Sequence, residues 1–267
     1  MKAGFYQSNP AFGSKEENFR EVFGAVSRAD LDLLVLPEFF AAGYQFRSKE
    51  EVAALSEVIP GGATTEFLLE LARAGSMHVV AGLPERAGER LYNSAVLVGP
   101  KGVIGLYRKT HLFFEEKLYF SPGDTGFRAW DLPWGRLGVM ICFDWFFPES
   151  LRTLALMGAE VVAHPSNLVL PYCPRSMPTR CLENRVYAVT ANRIGTEDRK
   201  EGHGLTFIGQ SRIVAPDGSV LAEGPERDLC LGVAEIEPSR ARAKALNPYN
   251  DLFADRRPEM YLTRPER

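Results

Sequence analysis

The sequence predicts an α/β protein with two mixed β-sheets and helices on their outer faces. Strand-length apolar runs alternate with helix-length amphipathic segments, and the second half of the chain repeats the style of the first. Several short strands at hairpin spacing stand beside the helix-linked ones, so the sheets should be mixed rather than purely parallel.

Taken in order, a strand is expected over 2–7, then a helix over 15–28 with Ser14 and Glu17 in capping-box spacing. Strand 31–36, helices 49–57 and 64–74, and strands 77–82, 92–98 and 103–108 follow. Gly99-Pro100-Lys101-Gly102 between the last two is a hairpin signal. Strand 137–142 leads to a helix over 148–157, with Pro148 at its first turn and Gly158 just past its end. Strand 160–163, the loop His164-Pro165-Ser166-Asn167, a helix over 175–185 and strand 186–191 come next. Strands 205–208 and 211–215, a turn at Pro216-Asp217-Gly218, and strands 219–222 and 229–235 complete the pattern. No Ser/Gly-rich linker divides the chain, so 1–267 reads as a single domain. The stretch 240–267 is polar and turn-rich, with little core of its own.

With 267 residues, 45% of them hydrophobic, the chain can bury a large core. A net charge of −3 with mixed signs offers no polyanion-binding face, so no nucleic-acid partner is expected. The first residues are too polar for a secretory leader, and no apolar stretch approaches the roughly 20 residues of a membrane helix. The expectation is a soluble cytoplasmic protein with no membrane partner. Four cysteines (142, 173, 181, 230) form no CxxC pair and should be free thiols in a reducing compartment. Four histidines without mutual ligand spacing argue against a metal site, and no cofactor is expected.

Three strand-like runs end in reactive groups. Leu33-Leu34-Val35-Leu36-Pro37 ends in Glu38, Val103-Ile104-Gly105-Leu106-Tyr107-Arg108 ends in Lys109, and Leu137-Gly138-Val139-Met140-Ile141 ends in Cys142. Strand ends are where chemistry collects in open α/β sheets. A thiol near neutral pH is mostly protonated and needs a base, which Glu38 can supply. Lys109 can stabilise an oxyanion together with the backbone N–H of Phe143. That set suits acyl transfer at a C–N bond. Each residue alone has a plainer role: a core cysteine, a solvated strand end, an edge lysine.

The blocks Leu36-Pro37-Glu38-Phe39-Phe40, Tyr107-Arg108-Lys109-Thr110-His111-Leu112 and Val139-Met140-Ile141-Cys142-Phe143-Asp144-Trp145 resemble the three signature segments of the nitrilase superfamily of carbon–nitrogen hydrolases. The similarity extends to Leu91-Tyr92-Asn93-Ser94-Ala95, to 119–127, to His164-Pro165-Ser166-Asn167 and to Arg180-Cys181-Leu182-Glu183-Asn184, in order along nearly the whole chain. The resemblance implies a four-layer αββα sandwich and a Glu-Lys-Cys triad, with Glu38 as base, Lys109 as oxyanion stabiliser and Cys142 as nucleophile. A second glutamate follows the lysine in many members, and Glu116 best matches it, with Glu115 as the adjacent rival.

Cys142-Phe143-Asp144 resembles the amidase and carbamoylase branches more than the true nitrilases, which usually follow the cysteine with Trp-Glu. The expected substrate is therefore a small linear amide or N-carbamoyl amine, with a small nitrile as the alternative. A non-catalytic scaffold of the same fold is the reading from a different class. Tyr44, Phe143, Trp145 and Asn167 are candidate substrate contacts, and Arg175 is a candidate for holding a substrate carboxylate bidentately. The family commonly pairs subunits across helices beside the active site, which implies a homodimer or higher even oligomer. Met177, Cys181, Leu182, Val186 and Tyr187 could supply one interface face, and a tail carrying Leu246, Tyr249, Leu252, Phe253, Met260 and Tyr261 the other.

Overall fold

The computed structural model describes residues 1–261. Two six-stranded sheets carry the molecule. The first contains β1 (Lys2–Gln7), β2 (Leu33–Val35), β3 (His78–Ala87), β4 (Arg90–Gly99), β5 (Gly102–Arg108) and β14 (Cys230–Glu235), in the order β14-β1-β2-β3-β4-β5. The second contains β6 (Ala129–Leu132), β7 (Gly135–Val139), β8 (Val161–Pro165), β9 (Tyr187–Ala191), β12 (Arg212–Val214) and β13 (Val220–Glu223), in the order β6-β7-β8-β9-β12-β13. The two are built alike. Each has a parallel trio at its centre, one antiparallel strand on one side and two on the other.

Strand alternation sorts the side chains into layers. Ala3, Phe5, Leu33, Val35 and Leu97 join Leu137, Val139 and Val189 in the cluster between the sheets. The alternate positions Leu34, Val79, Ala81, Val96 and Val98 pack beneath α1 (Lys15–Val26) and α3 (Ala63–Gly75), through Phe19, Val22, Val26, Leu68 and Leu71. On the far side, α5 (Pro148–Leu156) and α6 (Tyr172–Asn184) lie against β7 and β9. The order is thus helices, sheet, sheet, helices.

The structure departs from the sequence reading at several places. Ser14 makes no side-chain cap; Asn18 instead ties the start of α1 to Ala11. The strand expected to run to 142 stops at Val139, because the Asp144 carboxylate takes the Ile141 N–H at 2.9 Å and turns the chain. His164 and Pro165 end β8 rather than opening a loop, and pair with Thr190 and Ala191. α6 begins at Tyr172, earlier than expected. Short elements carry too little pattern to be read, namely β6, β10 (Thr196–Glu197) and α4 (Glu116–Tyr119); the strand expected over 205–208 is the two-residue β11 (Leu205–Thr206), paired with β10, and α2 (Lys49–Leu55) is shorter than its expected span.

The described part of the terminal stretch forms a short hairpin and a contact with the core. β15 (Ala245–Asn247) pairs with β16 (Asn250–Asp251), and Phe253 packs on the inter-sheet cluster of its own subunit. Residues 262–267 of the expected tail lie outside the described residues. Met177, Cys181, Val186 and Tyr187 are buried in their own subunit, the first two on the face of α6 turned to the second sheet, Val186 in the turn after it and Tyr187 in β9. Leu182 alone of those five is exposed. Among the described residues no helix is long and apolar enough to cross a membrane.

Candidate active site

The two sheets bring strand ends together at one place. Glu38 lies in the turn three residues beyond β2, Lys109 directly follows β5, Cys142 lies just past β7 and Asn167 just past β8. Glu116 opens α4, and Asn93 lies within β4. The approach of the Glu38 turn to β3 requires glycine there: a Cβ on Gly82 would lie 2.5 Å from the Glu38 Cα.

Lys109 is fully buried between two carboxylates. Its Nζ donates to Glu38 Oε1 at 2.7 Å and to Glu116 Oε1 and Oε2 at 2.8 and 2.9 Å. Tyr44 donates its hydroxyl to Glu116 Oε1 at 2.6 Å, and the Phe113 N–H reaches Glu116 Oε2 at 3.2 Å. The Asn93 amide donates to Glu38 Oε1 at 2.7 Å and to Glu116 Oε2 at 3.3 Å. Glu38 Oε2 is buried and has no partner. Glu116, not Glu115, therefore meets the lysine; Glu115 pairs with Lys200.

These surroundings set the protonation states. Burial pushes the Glu38 carboxyl above its ordinary value; Lys109 opposes that rise and Glu116 adds to it. Burial works against the Lys109 ammonium, but the two carboxylates outweigh it and raise its pKa. Burial holds the Cys142 thiol well above its usual value; the Glu38 and Glu116 charges add to this, while Lys109 and a backbone hydrogen bond from Asn167 pull it down. The thiol therefore rests protonated.

Cys142 stands at φ +40 and opens a one-turn 3-10 helix, Cys142–Phe146. Phe39 and Phe114, at φ +52 and +47, flank Glu38 and Glu116 in the same left-handed region. Strained backbone of this kind persists where neighbouring contacts over-determine it. Here Asp144 does so: Oδ2 accepts from Ile141 N and from the Tyr107 hydroxyl at 2.7 Å, and Oδ1 from the His111 N–H at 3.1 Å, with His111 Nδ1 at 2.8 Å. His164 Nε2 donates to the Cys142 carbonyl at 2.9 Å, which leaves Nδ1 to accept from Thr190 at 3.0 Å. Burial lowers the His164 pKa to about 4, so the ring is neutral at pH 7.

A cavity of about 30 Å³ opens onto Cys142. Phe143, Trp145 and Asn167 line it as expected, with Phe113, Phe146 and the segment Leu168-Val169-Leu170. The Asn167 amide donates to the Glu38 carbonyl at 2.8 Å, and its Oδ1 is buried without a partner. Tyr44 hydrogen-bonds Glu116 and is not among the residues lining this cavity. Arg175 is exposed on α6 and is not part of the lining. No group of three or more His, Cys, Asp or Glu among the described residues could hold a metal ion.

Sequence reasoning assigned no role to Asn93, Asp144, His164 or Glu197. Glu197 accepts the N–H groups of Tyr44 and Gln45 and is paired with the buried Arg193, so it fixes the loop that carries Tyr44. Asn93, Asp144 and His164 lie within the resembling blocks, which was the available signal. Glu197 follows no motif, and the loop it fixes is more than 150 positions away in sequence.

A family model described as carbon-nitrogen hydrolase matches residues 2–245. A protein of Pyrococcus abyssi named nitrilase is 50% identical over 98% of this chain and 99% of its own length. An (R)-stereoselective amidase of a Pseudomonas species is 37% identical over 96% and 92%, and an N-carbamoylputrescine amidase of Solanum lycopersicum 31% over 89% and 85%. Among solved structures, a carbon-nitrogen hydrolase from Helicobacter pylori G27 superposes with a TM-score of 0.88 at 27% identity, covering 98% of this chain and 96% of that one. An amidase mutant from Nesterenkonia sp. AN1, with acrylamide added at its active site cysteine, gives 0.76 at 26% identity, covering 91% and 96%.

Proposed function

The chain belongs to the carbon–nitrogen hydrolase family of the nitrilase superfamily, and on that premise we propose that it hydrolyses small linear amides through a thioester on Cys142. The observation that carries the reading is Glu38. One of its oxygens is held by Lys109 and Asn93, while the other is buried and unpartnered in the site that holds the Cys142 thiol. Glu38 Oε2 takes the thiol proton as sulfur attacks the amide carbon. The oxyanion that forms is stabilised by Lys109 Nζ and the Phe143 N–H. Glu38 then passes the proton to the departing nitrogen, the C–N bond breaks, and ammonia or an amine leaves. Water, deprotonated by the same carboxylate, attacks the thioester. The acid is released and the proton returns to sulfur. Asn167 Oδ1 offers an acceptor for a substrate N–H.

Glu116 acts by holding Lys109, not as the primary base. Amides rank first, N-carbamoyl amines next and nitriles last, on the strength of Phe143-Asp144 after the nucleophile. A nitrile is the second reading, favoured by the name of the Pyrococcus relative. Neither needs a metal or cofactor, and free thiols suit a cytoplasmic setting. We also take the protein to be a homodimer or higher even oligomer, because Leu156, Met157 and Leu182 on the outer helices, and Leu246 and Tyr249 beyond them, are exposed.

Ammonia release from matched amides, N-carbamoyl compounds and nitriles tests the ranking. A nitrile with a higher kcat/KM than its amide would overturn it. Cys142→Ala should abolish turnover and leave the fold intact, since the lost step is covalent attack; turnover in that variant would remove the mechanism. EDTA should change nothing.

A further inference from the structure

We infer that the site takes amides whose acyl group is uncharged and apolar, and discriminates against those carrying an ammonium or carboxylate near the scissile bond. This deepens the amidase reading and rests on it. Every side chain lining the cavity beside Cys142 is apolar except that of Asn167 and the thiol itself, and none carries a charge. Phe113 and Phe143 stand 5.1 Å apart, and Phe143 and Phe146 5.6 Å apart, all tilted, so they form a continuous aromatic wall. The apolar surface continues outward: Phe146 and Leu170 are exposed at the mouth, and Phe114, 64% exposed, stands 6.2 Å from Phe113.

The nearby charges are already paired. Lys109 is shared by Glu38 and Glu116, Glu115 is held by Lys200, and Arg180 lies between Glu183 and the Trp145 carbonyl. Arg175 is exposed outside the lining. A charged substituent entering the cavity would lose its water without gaining a counter-ion. An alkyl or aryl group of the same size gains apolar contact instead.

Three amides of closely similar size separate the cases: hexanamide, 5-aminopentanamide and glutaramate. Ammonia release should give hexanamide a kcat/KM about 100-fold above either charged compound, the scale that a mismatched polar group produces in a pocket. Leu170→Glu places a carboxylate at the exposed mouth. It should raise kcat/KM for 5-aminopentanamide about tenfold and lower it for glutaramate. If all three amides are turned over within about threefold of one another, the inference fails while the amidase reading stands. If no amide is turned over, the amidase reading fails. The matched series hexanenitrile, 5-aminopentanenitrile and 4-cyanobutanoate then reads the same wall, and equal rates across it, or no reaction, would overturn the inference.

Discussion

Glu38 and Lys109 are both fully buried; Lys109 is held in its charged form by Glu38 and Glu116, whereas the charge on Glu38 is favoured by Lys109 and opposed by Glu116. Burial raises the Glu38 pKa above the ordinary 4.5. Because the proposed base must be ionised, activity should fall on acidification at a pH above the usual carboxylate range. The acid limb of kcat/KM against pH measures this, and a midpoint at or below 4.5 would contradict it. Glu116→Gln removes one of the two charges that aim Lys109. It should cut kcat on the order of 100-fold, the cost of a misplaced catalytic group. Cys142 should still react with iodoacetamide. Near-normal turnover would show that Glu116 is not needed for the chemistry.

At the scale of elements, the short turn after β7 decides where sulfur points, and it is held from outside. His164, at the end of β8, grips the Cys142 carbonyl as a neutral ring. Its pKa is lowered from 6.5 to about 4, so between those values the unfolded chain binds a proton that the native state refuses. Stability therefore falls as pH drops through 6.5, and the loss from this group is complete near 4, at about 3 kcal/mol. Urea unfolding at pH 7 and pH 5 should show His164→Gln losing less stability on acidification than the wild type. An equal loss in both would assign the acid sensitivity elsewhere. The β10–β11 pair holds the Tyr44 loop in the same indirect way, through Glu197. Glu197→Ala would leave Arg193, 1% exposed, as an uncompensated buried cation, so a loss of about 3–5 kcal/mol is expected. The urea midpoint should drop at unchanged slope; an unshifted midpoint would show that Arg193 finds another partner.

Across the whole molecule, the stretch beyond Ala245 is divided between two surroundings. Phe253 lies beneath the Arg152 and Lys244 side chains of its own subunit, whereas Tyr249 is 91% exposed. Light scattering on the full chain should give an even-numbered oligomer, and a chain ending at Ala245 should lose both mass and thermal stability. A monomeric full-length protein would end the oligomer proposal. A shortened chain with full mass but lower stability would show that the stretch serves its own core alone.

The sequence by itself determined the layered α/β plan, because alternating apolar runs select a sheet face and amphipathic segments cover it whatever lies far along the chain. It also placed Glu38, Lys109 and Cys142 near strand ends, and narrowed the second glutamate to two neighbours. Only the tertiary structure chose Glu116, since a change of one residue at the start of α4 sends one carboxylate to Lys109 and the other to Lys200. The same holds for Arg175, whose position shortly after Asn167 in sequence says nothing of the direction in which α6 carries it. Asp144 and Glu197 act on backbone N–H groups of other segments, and such contacts leave no local periodicity to read. Periodicity reports which face of an element is buried; the meeting of charged groups depends on how distant elements stack, and that is settled only when the sheets pack.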